Sequence, residues 1–177
     1  MKRTKYVLLI GLVVLLTVTL FTIINQTQKK DFETIQFASD IHTENLTLLD
    51  TMDVDADNDG QDERIELFTS AKREESGKMG WDDGQRWLLL VNDEEKKFPL
   101  FDDYVQNGQL EFWVSVINKF EKSPPLDTDL EKHIYVLHTG NGFQLYGYLW
   151  NKQDLCYQQE MIFNPDNQWG VLSSNKY

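Results

Sequence analysis

Fourteen residues, Asp53-Val54-Asp55-Ala56-Asp57-Asn58-Asp59-Gly60-Gln61-Asp62-Glu63-Arg64-Ile65-Glu66, hold the densest chemistry of this chain. Seven of these side chains are carboxylates, and only Arg64 opposes them. Such crowding raises the energy of the ionised forms unless water or a cation neutralises it. Asp55, Asp57 and Asp59 stand at alternate positions, and Gly60 closes the run. Alternate side chains of a tight loop converge on one point, and glycine permits the sharp turn that a side chain obstructs. Clustered oxygen donors suit a hard cation, above all calcium, which takes roughly six to eight oxygens at about 2.3–2.6 Å.

Counting from Asp55, the expected ligands are Asp55, Asp57 and Asp59 at positions one, three and five. Gln61 comes at position seven through its backbone carbonyl, and Glu63 at nine binds directly or through water. Glu66 at twelve completes the D-x-[DN]-x-[DN]-G-x5-E pattern of EF-hand loops. The surroundings differ from those of an EF-hand. No helix of adequate length precedes the loop, position eight is Asp62 where an apolar residue is usual, and Arg64 to Thr69 alternates as a strand does. Over Asp53 to Leu67 the loop instead resembles the Asp-x-Asp-x-Asp-Gly calcium loops of FG-GAP and VCBS-type β proteins. That resemblance implies a strand directly after the loop and an acid at position nine, here Glu63, as the last ligand. Either Glu63 or Glu66 can close the site on these grounds, and the ion is expected to be structural.

The elements around the loop read as strands. Asn45 to Met52 leads into it, and Arg64 to Thr69 leads out. Trp87 to Val91 is a continuous apolar run, the mark of a strand buried on both faces. Lys96 to Leu100 pairs back after the turn at residues 92–95, and Pro99 places it at an edge. Leu110 to Ile117 alternates clearly. His133 to His138 and Phe143 to Trp150 flank Thr139-Gly140-Asn141-Gly142, a hairpin signal. Leu155 to Phe163 and Trp169 to Ser173 add two more. Residues 71–85 and 121–131 read as loops, and residues 101–108 as one helical turn. With no long amphipathic helix for parallel crossovers, the expected fold is mostly β: a single antiparallel domain of about eight short strands. One acidic loop and no repeated unit exclude a full propeller at this length.

The first residues belong to a different class. Residues 1–5 form a basic tail, and residues 6–24 run nineteen positions without a charge. As a helix this run spans roughly 28 Å, close to a bilayer core. No small-residue cleavage site comes next and no cysteine directly follows it, so the expectation is an uncleaved signal anchor with the N-terminus in the cytoplasm. Residues 25–44 are expected to be a polar tether and residues 45–177 an extracytoplasmic domain. Beyond residue 30 the chain carries 29 acids against 12 lysines and arginines, a net of −17. That charge disfavours a nucleic-acid partner. An anchor joined to one such domain loosely resembles small exported proteins of Gram-positive bacteria. The single cysteine, Cys156, allows no internal disulfide and reads as a small buried side chain.

Little else carries chemistry. His133 and His138 lie five apart, hence on opposite faces of a strand, and zinc is not expected. The pairs Asp82-Asp83 and Asp102-Asp103 are placed in turns, where Asp is common for backbone reasons. They are nonetheless the carboxylates a cell-wall hydrolase would use. Trp81 and Trp169, beside turns, are the better candidates among the tryptophans for exposure and for stacking on sugar. Together these features point to a membrane-anchored, non-enzymatic binding or accessory module with one calcium ion, meeting a cell-wall polymer or another surface protein. The alternative is a hydrolase or carbohydrate-binding module.

Overall fold

A computed structural model describes residues 32–118, 130–140 and 142–164. The apolar segment 6–24 and the expected strand Trp169 to Ser173 lie outside these residues. Among the described residues there are eleven strands and no helix. β2 (Thr47–Val54), β3 (Glu63–Thr69), β6 (Gly84–Asp93) and β7 (Lys96–Gln106) form one antiparallel sheet in the order β2-β3-β6-β7. β1 (Glu33–Ile35), β8 (Gln109–Asn118), β9 (Leu130–Thr139), β10 (Phe143–Asn151) and β11 (Cys156–Phe163) form a second, in the order β1-β11-β10-β9-β8. β4 (Lys72–Arg73) and β5 (Met79–Gly80) make a small hairpin of their own.

The two large sheets share one core, because strand side chains alternate between faces. Ile65, Leu89 and Phe98 face it from the first sheet, and Val136, Tyr148 and Tyr157 from the second. The apolar run of β6 is explained by its two faces. Trp87, Leu89 and Val91 enter the common core, whereas Leu88 and Leu90 point outward and are covered, with Phe68, by Ile41 and Leu46. Buried on both sides, this strand has no position for a polar residue between Trp87 and Val91.

Three expectations need correction. Part of the segment expected as a tether is built into the fold: β1 pairs with β11, Phe37 packs edge-on against Phe98, and Ala38 N donates to Lys97 O at 2.8 Å. A strand of three residues is too short to leave a periodic signal. The loop expected at 71–85 holds the β4–β5 hairpin for the same reason. The helical turn expected at 101–108 is instead the second half of β7. Leu89 pairs with Phe101 and Leu90 with Pro99, so Leu100 is an extra, bulged residue. A bulge resets the alternation and removes the period by which a strand is recognised. The other seven strands, and β7 as far as Leu100, correspond to segments expected as β. Pro99 lies on β7, which is an edge strand, and β9 and β10 pair across residues 139–143.

Candidate metal centre

The acidic loop is the turn between β2 and β3. Its own carboxylates tie it into shape: Asp59 N donates to Asp57 Oδ1 at 2.9 Å and to Asp55 Oδ1 at 3.0 Å, and Gln61 N donates to Asp59 Oδ1 at 2.8 Å. Such side-chain-to-amide bonds hold a turn in place of a ladder. Asn58 and Gly60 take left-handed angles, φ 59° and 98°. Nothing lies within 4 Å of where a Gly60 side chain would begin, so glycine is required there by backbone angle and not by space.

Asp55, Asp57, Asp59 and Glu63 each bring one carboxylate oxygen to within 4.8 Å of the others. This cluster can hold a metal ion. Glu63 is its anchor. It is the first residue of β3, only 3% exposed, and its Oε2 accepts hydrogen bonds from Ala56 N and from Asp57 N at 3.2 Å. Burial pushes the Glu63 carboxyl up to about 7 against those two amides, and the charges of Asp57 and Asp55 add to the rise. Asp57 is also raised, first by burial and then by Asp59. Without a cation the loop thus concentrates negative charge where it is poorly hydrated. Hard oxygen donors, close convergence and the energetic cost of ionising Glu63 all fit a divalent cation.

The two remaining expected ligands lie outside the four-carboxylate cluster. Gln61, expected to offer its backbone carbonyl, contributes its amide N–H to the turn and is exposed. Glu66 lies on the opposite face of β3 from Glu63. Its Oε1 accepts from Arg64 Nε at 3.2 Å and its Oε2 from Asn92 Nδ2 at 2.9 Å. The reason is parity: an odd separation along a strand puts two side chains on opposite faces, whereas a helix after the loop would bring position twelve round to the ion. Glu66 therefore lies outside the convergent cluster, and Glu63 is the acid that joins the three aspartates.

Two lysines, one on β9 and one in the β10–β11 turn, complete the surroundings, and the sequence pattern did not reveal either. Lys132 Nζ lies 3.3 Å from Asp55 Oδ2 and also donates to the Asp55 carbonyl. Lys152 Nζ donates to Asn58 O at 3.4 Å. Lys132 sits on the inward register of β9 with Ile134 and Val136, and a charge beside these apolar positions was the available signal. An open groove of about 910 Å³ runs between the loop and this sheet, lined by Asp57, Asp59, Lys132, Trp150 and Lys152 among others.

The other candidate residues are dispersed. His138 Nδ1 meets Gln144 Oε1 at 2.9 Å on the inner face, while His133 stacks beside Tyr135 on the outer one. Asp102 and Asp103 are in β7, not in a turn, and flank opposite faces of it, opposite Leu88 and Trp87. Both Asp102 oxygens accept from the Arg86 guanidinium, at 2.7 and 2.8 Å. Trp81 is exposed and stacks on buried Trp87. Trp169 lies outside the described residues. Cys156 is fully buried. No protein-family model matches the chain, and neither a curated protein nor a solved structure matches it. The likeness to FG-GAP and VCBS-type loops accordingly rests on residues 53–67 alone.

Proposed function

We propose that this chain is a membrane-anchored, extracytoplasmic β domain whose β2–β3 loop holds one structural calcium ion, and that it serves as a non-enzymatic binding or accessory module at the cell surface. The observation that carries the calcium reading is the convergence of Asp55, Asp57, Asp59 and buried Glu63 in one turn. Four carboxylates offer enough oxygens for most of a calcium shell, with water supplying the rest. Magnesium is a poorer fit, since it retains its waters and seldom takes an all-protein cage. The ion would neutralise a loop that is otherwise costly to ionise and would fasten β2 to β3 at their turn. Calcium sites of extracellular modules work at roughly 10⁻⁴–10⁻³ M, so such a site would stay filled outside the cell.

Support for the anchor is the uncharged run of residues 6–24 after a basic tail. A hydrolytic reading lacks comparable support, because Asp102 is engaged by Arg86 and Asp103 faces the other way. The direct test is isothermal titration of the full chain in detergent with Ca²⁺, beside an Asp57→Ala/Asp59→Ala variant. Saturable heat in the parent and none in the variant is expected. Equal, negligible heats in both would remove the calcium claim. Cleavage of the domain by protease added to intact cells tests the location separately.

A further inference from the structure

We propose that the chain associates with a second copy of itself through the open edge of β8, joining two five-stranded sheets into one of ten strands. Edge strands expose unpaired N–H and C=O groups, and proteins normally blunt them with short length, proline, bulges or charges. Three of the four edges of the two large sheets are blunted. β1 is three residues long. β7 carries Pro99, the Leu100 bulge, Lys96 and Asp102. β2 carries a bulge at Leu49 together with Asp50 and Asp53.

β8 has neither short length, proline nor a bulge, and only one charge. Its ten residues, QLEFWVSVIN, contain one charge, Glu111, and no proline. Its register with β9 runs without a shift from Gln109 to Asn118. Among the described residues no strand pairs with its other edge. Large apolar side chains are exposed on this strand, Val116 (55%) on the core face and Trp113 (39%) and Ile117 (36%) on the outer one.

The occupant is a second copy because β8 is complementary to itself. In an antiparallel pair about a two-fold axis perpendicular to the sheet, directly opposed residues share a face, so the axis passes through a residue position. Placed at Trp113, it sets Leu110 against the partner's Val116 and Phe112 against the partner's Val114, all on the core face. On the outer face Glu111 meets the partner's Ser115. No acid opposes an acid, which matters for a domain of net charge −17. Centring on Val114 instead would set Leu110 against the partner's Asn118.

Sedimentation of the full chain in density-matched detergent, at concentrations up to about 100 µM, tests this and reaches the Kd range of weak homodimers. Ser115→Glu puts like charges opposite one another twice per dimer and is expected to weaken association about tenfold or more. Ser115→Lys places a cation against the partner's Glu111 and is expected to leave association unchanged or tighter. The double variant Glu111→Lys/Ser115→Glu is expected to restore it. Circular dichroism establishes that each variant is folded. A parent that remains monomeric overturns the proposal. So does equal weakening by Ser115→Glu and Ser115→Lys, or a dimer indifferent to all three variants, which would be held by another surface such as residues 6–24.

Discussion

On the outer face of β6 and β7, Asp102 accepts two hydrogen bonds from Arg86. At the turn between β2 and β3, four carboxylates converge and Lys132 reaches only Asp55 among them. Both groups belong to the same sheet. The first is neutralised by a partner encoded on the neighbouring strand, and its acid is spread over a half-exposed surface. The second leaves a buried Glu63 beside like charges, with two backbone amides as its donors. Carboxylate density alone therefore does not mark a metal site. What distinguishes the candidate site is convergence that, among the described residues, the protein's own cations answer only at Asp55.

The largest effect that would break this contrast is on thermal stability. Calcium at about a hundredfold excess over its Kd should stabilise the parent by about 2.7 kcal/mol, raising Tm by roughly 5–11 °C in calorimetry. The Asp57→Ala/Asp59→Ala variant should show no calcium-dependent shift, and a retained shift would mean that the ion binds elsewhere. Next comes Glu63. Its folded pKa is raised to about 7, so in chelator the native state holds the proton more tightly than the unfolded chain does. Stability from this group is then fully present below the ordinary carboxylate range and is lost as pH rises toward and through about 7. Denaturant midpoints at pH 5 and pH 8 should differ accordingly in the parent, and Glu63→Gln should flatten that difference. The same variant should weaken calcium binding by about tenfold or more, because a charged ligand is gone. Smallest are the controls. Arg86→Ala should cost within about 1 kcal/mol, the range for exposed pairs. Glu66→Gln should leave calcium affinity within about twofold. A large loss of affinity in Glu66→Gln would return that residue to the site.

The three aspartates and Glu63 were legible from spacing because a turn brings alternate side chains together through local geometry alone. Glu66 stood as an open alternative to Glu63 for the complementary reason: its place depends on the element after the loop, and the pattern that includes it presumes a helix there. β7 was half-read because the Leu100 bulge breaks the period that reveals a strand. The pairing of β1 with β11 and the approach of Lys132 to Asp55 depend on contacts across more than seventy residues. No local pattern records such contacts, and only the assembled sheets bring them about.

The order of the strands also bears on how the chain comes to be folded. The four-stranded sheet is drawn from residues 47–106, an unbroken stretch that contains the acidic loop. The five-stranded sheet needs β11, among the last strands made, and it is β11 that receives β1, the first, with Glu33 opposite Gln159. Pairings so distant in sequence are slow to close. A chain emerging from its N-terminus can therefore complete one sheet while the other waits for its closing strand. Pulse-labelled hydrogen exchange should find residues 47–106 protected first, and simultaneous protection of both sheets would show that they form as one unit.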